Sequence, residues 1–407
     1  MKSNFSKLEQ GDKKLLENLM SDGEAGLSDE TSLSVSYICN PDGTIRWLFN
    51  SHHSKPYFLI FYCAATIKAK IFSFGIRVLY FVRLSNIVNS GEMKISIASE
   101  SRVGKILNRN NCRDFSIFTG TVGENRKALI ELHEDGQTFA IAKIPISGQS
   151  QKLVENEAAM LKLVANIDTP NLVVPQIRNI YKDASIELSN VKFPGVKQSF
   201  DLKDVHVNAL LPLVENSITS DWLALEAMQQ SKIRCQRLRE NYEIINELDQ
   251  KRIHKIIDNV AKLIDILEAS DNPVVLGIAH GDFTPWNMYH KKNKLFLFDW
   301  ELGSEATPVL FDYFHFIFQS EILMKQSAFT DIEASIRKML KLKNVRNLIE
   351  TKNINIQQQF MFYLISISSY YIEKYVNQAK LHSQSFDLIA VWETAINEVL
   401  SGNCEFK

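Results

Sequence analysis

The stretch His280-Gly281-Asp282-Phe283-Thr284-Pro285-Trp286-Asn287 is followed, twelve residues after Asn287, by Asp299-Trp300-Glu301. A carboxylate, a neutral amide five positions on and a second carboxylate closing an apolar run are the parts that accept a hydroxyl proton and hold magnesium on nucleotide phosphates. Phosphoryl transfer asks a protein mainly for position and charge neutralisation. A rigid loop must therefore set one acceptor beside the attacking hydroxyl and its neighbours beside the metal. Asp282 is the expected acceptor, Asn287 a neutral oxygen ligand and Asp299 the main metal carboxylate. Lys294-Leu295-Phe296-Leu297-Phe298 reads as a short strand with Asn293 in the turn before it. That leaves room for one hairpin, which lets Asn287 and Asp299 face each other.

At these residues the sequence resembles the aminoglycoside phosphotransferase and choline kinase superfamily, the small-molecule branch of the protein-kinase-like fold. His280-Gly281-Asp282 stands where protein kinases have His-Arg-Asp, and Asp299-Trp300-Glu301 where they have Asp-Phe-Gly. The step from Asp282 to Asn287 equals that from the catalytic Asp to the metal-binding Asn of the kinase loop. The resemblance implies an α+β, bilobal protein-kinase-like fold, with a small β-rich N-terminal lobe and a larger helical C-terminal lobe. It implies ATP and Mg2+ as cofactors, Glu301 as a second metal ligand, and a hydroxyl of a small molecule or glycan as phosphate acceptor. No Ala-Pro-Glu follows Asp299, and Thr284 rather than a lysine stands two residues after Asp282; both features disfavour a protein kinase. A nucleotide-binding pseudokinase or regulatory module without turnover stays open as the alternative.

Such a fold also needs a lysine on a strand for the α/β-phosphates and a helix glutamate to hold it. Thr138 to Ile144 alternates like a strand, and Asp135-Gly136 joins it as a hairpin to Ala128 to Leu132, which makes Lys143 the phosphate lysine. Lys152 to Leu163 reads as a helix, and Glu157, with Leu161 four residues on, is the expected partner; Glu155 is the fallback. Before the hairpin, Ser116 to Asn125 reads as a strand entering a turn with Gly120 and Gly123, whose freed amides could approach the nucleotide phosphates. The full Gly-x-Gly-x-x-Gly of protein kinases is not there.

Composition is compatible with this. A chain of 407 residues with 45% apolar residues is expected to hold two or three globular domains. A formal net charge of −1 gives bulk charge no reason to attract nucleic acid, and no nucleic-acid partner is expected. Five scattered cysteines without a Cys-x-x-Cys pair point to reduced thiols, and residues 1–30 lack the apolar core of a signal peptide, so a cytoplasmic location is the expectation. The oligomeric state is not legible.

Three segments are expected: an N-terminal extension over 1–110, a kinase-like N-terminal lobe over 111–192 and a helical C-terminal lobe over 193–407. Within the first, Ser34–Cys39 and Thr44–Phe49 read as strands around the turn Asn40-Pro41-Asp42-Gly43. Residues 56–84 are apolar but broken by Lys68, Lys70, Arg77 and Arg83, too short a run for a transmembrane span. The ordinary reading is an element packed on the kinase lobe; the alternative is a basic amphipathic segment in peripheral contact with a membrane. Further on, Asn166–Val174 and Ile186–Val191 could complete the strands, Lys192 to Val196 could cross between lobes, and Ile253 to Leu267 repeat at helical spacing. The strand Val274–Ala279 should carry the catalytic loop. Asp312 is read as orienting that loop, His280 as a structural loop residue and His315 as a core histidine. Asp331–Leu340 and Phe360–Val376 read as helices.

Overall fold

Alternation of apolar and polar residues shapes the first half of the chain. The computed structural model describes residues 10–21, 30–51, 55–59, 67–120, 123–193, 195–240, 246–378 and 380–406. The expectations for residues 1–9, 22–29 and 60–66, for Thr121 and Val122 of the glycine turn and for Pro194 of the crossing lie outside the described residues. Along the chain come β1 (Glu30–Cys39), β2 (Ile45–Asn50), β3 (Gly91–Ala98), β4 (Asp114–Phe118), β5 (Lys127–Glu134), β6 (Gln137–Pro145), β7 (Leu172–Val173), β8 (Ile177–Ile180) and β9 (Ile186–Ser189). All but β7 join one antiparallel sheet in the order β3-β1-β2-β4-β5-β6-β9-β8.

One face of this sheet carries Val35, Leu48, Ile95, Ile117, Ile130, Ala140, Ala142 and Ile144, buried in a single core with Leu15, Leu16 and Leu19 of α1 (Gln10–Met20) and Val103 and Ile106 of α3 (Arg102–Arg109). The opposite face carries Trp47 and Phe49, packed with Phe58 and with Ile76 and Tyr80 of α2 (Ile67–Phe81). A residue on a strand reaches one face or the other by parity alone, which is why the pattern reads so cleanly.

The chain divides into two compact units, residues 1–165 with 174–193 and residues 166–173 with 194–407. This differs from segments bounded at 110 and 192. β1, β2 and β3 pair into the same sheet as β4 to β9, so the first 110 residues are built into the first unit. The stretch expected to give a strand at 166–174 does so, as β7, but it pairs in parallel with β13 (Lys294–Leu297) of the second unit.

The first unit also holds α4 (Gly148–Ala165). The second is mainly helical: α5 (Asp204–Glu215), α6 (Glu226–Glu240), α7 (Gln250–Glu268), α8 (Phe311–Ser320), α9 (Phe329–Leu340), α10 (Lys343–Lys352), α11 (Ile356–Val376) and α12 (Ser383–Leu400). Its remaining strands are β10 (Ile218–Ser220), β11 (Val274–Ala279), β12 (Met288–Lys291) and β14 (Ser304–Pro308), with β11 between β10 and β14 and β13 between β12 and β7. The molecule is thus a mixed α+β protein with an antiparallel sheet, and no helix among the described residues is long and apolar enough to cross a membrane.

His206, in the first turn of α5, shows how tightly the second unit is sealed. Its Nδ1 accepts the Lys203 N–H at 2.9 Å, and its ring lies 5.0 Å from Phe316 and 6.5 Å from Phe283. Burial, reinforced by nearby His290, pulls its pKa down from 6.5 to about 4. The unfolded chain then binds the proton more readily, so stability is full above pH 6.5 and is lost as pH falls through the window to about 4. The loss amounts to as much as about 3 kcal/mol. Thermal denaturation followed against pH should show this slope in the wild type and lose most of it in His206→Asn; an unchanged slope would assign it to other groups.

Candidate functional site

Each unit carries its own set of candidate side chains. On β6, Ala140, Ala142 and Ile144 turn into the apolar core, so Lys143 between them points to the other face. Its Nζ donates to both oxygens of Glu157, at 2.7 and 2.6 Å. Glu157 is fully buried on α4 among Val154, Ala158 and Leu161. Sinking a charged pair this deep costs more desolvation than the pair returns unless its geometry is good, and here both carboxylate oxygens are engaged. The expected pair therefore forms, and Glu155, the fallback, is exposed and instead accepts from Gln151 at 2.8 Å.

Gly120 has φ +77, and a Cβ there would stand 2.2 Å from the Lys127 carbonyl oxygen, so glycine is required by the close approach of β5. Gly123 (φ +153) has open space around it.

In the second unit the site grows from the end of β11. His280 N–H and Gly281 N–H donate to the two oxygens of Asp312, at 2.7 and 3.0 Å. Asp312 is buried in the first turn of α8, where the helix dipole favours a carboxylate. Burial pushes its carboxyl up from the ordinary value, while His280, the two amides and His315 pull the other way.

His280 ties the two sequence motifs together. Its Nδ1 accepts the Asp282 N–H at 3.3 Å and its Nε2 lies 3.0 Å from the Phe298 carbonyl, partners that assign the proton to Nε2. Trp300, fully buried, meets it edge-on at 4.8 Å. Gly281 (φ +80) brings the loop so close to Leu302 that a Cβ would lie 2.0 Å from the Leu302 carbonyl oxygen.

Asp282 keeps its side chain partly accessible, at 25%. Asn287 Nδ2 donates to its Oδ2 at 2.8 Å, and His315 Nε2 lies 3.1 Å from its Oδ1. Both carboxylate oxygens are thus oriented by named donors. The same Asn287 amide also reaches the Asp282 carbonyl at 3.1 Å, which turns its oxygen away from Asp282. His315 is buried as expected of a core residue, beside Phe311 and Tyr363, yet it also holds the carboxylate in place. The signal for this was its position one helical turn after Asp312, on the side that faces the loop.

The hairpin β12–β13 pairs Met288 with Leu297 and Lys291 with Lys294, and Phe298 N–H donates to the Asn287 carbonyl at 3.0 Å. Asn287 and the residue before Asp299 are therefore hydrogen-bonded neighbours at the open end of one hairpin. Asp299 itself has φ +69 and ψ +57, a left-handed conformation that costs a non-glycine residue of order 1–3 kcal/mol and that clusters at functional sites. Glu301 follows in the short helical turn Trp300–Leu302 and is half-buried. Asn287, Asp299 and Glu301 offer neutral and anionic oxygens, the donor set of a hard divalent cation such as magnesium.

A cavity of about 590 Å³ opens beside Gly281 and Leu302, walled by α6, α11 and the sheet β10-β11-β14. Arg234 and Glu226 are its charged lining residues among those described. Tyr370 stands in its wall with its pKa pushed up to about 12, mainly by burial; Arg234 opposes the shift and the Asp282 charge adds to it.

No family model matches the sequence, and no curated protein does. Among solved structures, the chain is similar to choline kinase LicA from Streptococcus pneumoniae at 13% identity, covering 74% of this chain and 100% of that one, with a TM-score of 0.47. It is similar to the GDP complex of aminoglycoside 2'-phosphotransferase-IIIa at 11% identity, covering 74% and 97%, TM-score 0.45. Amicoumacin kinase hAmiN, in complex with AMP-PNP, Ca2+ and amicoumacin, matches at 11% identity over 69% and 88%, TM-score 0.43. What the site can do is read from its own residues.

The packing of Gly281 gives a direct check. Gly281→Ala forces a β-carbon onto a backbone oxygen at a positive φ, and should destabilise the fold by about 2 kcal/mol or more. Urea unfolding would show it; a midpoint equal to wild type would mean the loop does not lie against Leu302.

Proposed function

We propose that the chain is an ATP-dependent phosphotransferase of the protein-kinase-like fold, moving the γ-phosphate to a hydroxyl of a small molecule or glycan. The observation that carries this reading is the carboxylate of Asp282, accessible to solvent yet held on both oxygens by Asn287 and His315 beside a cavity. A group fixed this way is suited to general-base work, because its basic lone pairs are aimed before the acceptor arrives.

In this reading the acceptor hydroxyl donates its hydrogen bond to Asp282. As its oxygen attacks the γ-phosphorus, the bond from γ-phosphorus to the bridging oxygen of ADP breaks and the hydroxyl proton passes to Asp282. Magnesium, held by Asn287, Asp299 and Glu301, would neutralise charge on the phosphate oxygens. Lys143, steadied by Glu157, contacts the α/β-phosphates, and amides near Gly120 and Gly123 cover them. His280 and Asp312 position the loop and do not touch the reacting atoms. The first unit serves as the nucleotide lobe, with the N-terminal region built into its sheet.

The cavity beside Gly281 is the proposed acceptor site. One charge of each sign, the hydroxyls of Ser220, Thr307 and Ser366, and the Tyr370 wall suit a neutral polyhydroxyl compound better than a polycation, which would call for several acids.

An ADP-release screen over sugars, sugar alcohols, amino alcohols, nucleosides and aminoglycosides tests the reading. Turnover with one class is the expected result; stabilisation by MgATP without ADP release under any acceptor would make the chain a nucleotide-binding module instead. Asp282→Asn should lower turnover by roughly 10²–10⁴-fold while MgATP still raises the melting temperature; unchanged turnover removes Asp282 from the mechanism. Asp299→Ala should abolish the magnesium-dependent part of that thermal stabilisation, and its persistence would take Asp299 out of the metal site.

A further inference from the structure

From Gly43 to Gly91 the chain has no Asp or Glu and six cationic residues, Arg46, Lys55, Lys68, Lys70, Arg77 and Arg83, although over its full length 47 acids balance 46 bases. This is the longest departure from charge balance around a structured element, and α2 lies inside it.

α2 is apolar on two opposite sides. Inward, Ser73, Ile76 and Tyr80 are buried, with the Tyr80 ring 6.5 Å from Phe49 and 6.2 Å from Phe58. Outward, Ile71, Phe74, Val78 and Phe81 fall at steps of three, four and three, one stripe on the helix surface. Ile71 is 67% exposed, Phe74 69% and Phe81 87%, and beyond the helix Ile87 is 69% exposed. Exposed aromatic and aliphatic side chains grouped on one face are uncommon on a soluble protein and mark a surface that meets another apolar phase.

The occupant can be read from charge and length. Arg77 and Arg83 are exposed along the same stretch. At 15 residues the helix is about 22 Å long, too short to span a bilayer. A second copy of this chain would bring the same cationic face against itself, which disfavours self-association. An apolar stripe flanked by arginines, in a stretch of sequence without acids, is the pattern of a helix lying in the interface of an anionic bilayer, apolar side chains at the acyl boundary and cations at the headgroups.

We propose that α2 docks the protein on the surface of an anionic lipid membrane. The contact uses Ile71, Phe74, Val78 and Phe81 for insertion and Arg77 and Arg83 for headgroup attraction, and it draws on none of the residues proposed for phosphoryl transfer.

The full-length chain, centrifuged with phosphatidylcholine vesicles and with vesicles in which part of that lipid is replaced by phosphatidylglycerol, tests the proposal. The wild type should sediment with the anionic vesicles and weakly with the neutral ones, and added salt should release it. Phe74→Ser with Phe81→Ser should lower anionic-vesicle affinity by about tenfold or more, and Arg77→Glu with Arg83→Glu should weaken it while reducing the salt response. All four side chains are exposed, and unchanged melting temperatures would establish that the variants fold. Three results overturn the proposal: no sedimentation of the wild type with either vesicle, equal binding to both lipids at every salt concentration, or a dimer in light scattering that the phenylalanine variants dissolve.

Discussion

Two successive amide protons, from His280 and Gly281, end on the one buried carboxylate of Asp312, and the geometry of the second unit's site follows from that contact. A carboxylate out of water is expensive unless its oxygens are satisfied, and charge-assisted bonds from backbone N–H groups are strong enough to offset much of the cost. Because α8 is buried along its whole length, Asp312 cannot drift, and neither can the loop it holds. The backbone is pinned at Gly281 against Leu302, and His280 then bridges from the Asp282 amide to the Phe298 carbonyl. Asp282 and the start of the Asp299 segment are thereby set by one imidazole. The same helix supplies His315, which reaches the Asp282 carboxylate from below.

The first unit solves a related problem by different means. Lys143 and Glu157 are a buried ion pair, an arrangement whose desolvation cost often equals or exceeds what the pair returns in stability. Parity on β6 decides that Lys143 leaves the aliphatic face, and the buried side of α4 decides that Glu157 meets it. A cost of this kind is expected to persist where a pair serves something other than stability, which agrees with the role proposed for Lys143 and Glu157.

The local elements that carry the candidate site residues were legible because their signals are local. The hairpin before Asp299, the strand ending at Ala279, the helix holding Glu157 and the Lys143 strand all follow from period and turn chemistry over fewer than twenty residues. The ends moved for physical reasons: α11 begins at Ile356, ahead of Phe360, because the Asn355 side chain caps it by accepting the Gln358 N–H. Non-local pairing was less legible. β3 alternates apolar and polar residues, yet its pairing with β1 spans some fifty residues of intervening chain, and nothing short-range announces that the first 110 residues complete the sheet. β7 is two residues long and is defined by its partner β13, so composition alone could not place it in the second unit. His315 was hidden by its burial: the same apolar setting that makes a histidine look like filler is what fixes it against a carboxylate. Gly120 had a plainer purpose than phosphate contact alone, the close passage of the Lys127 carbonyl.

The central claim is that Asn287 and Asp299 hold a divalent cation on a nucleotide beside Asp282. A crystal structure with manganese and a non-hydrolysable ATP analogue tests it most directly, because manganese is located by its anomalous signal. The account predicts an ion bound by the side-chain oxygens of Asn287 and Asp299 at about 2.1 Å, the range for a magnesium-like cation, with the γ-phosphate next to Asp282. An ion bound elsewhere, or a nucleotide bound with Asn287 and Asp299 outside its coordination, would contradict it.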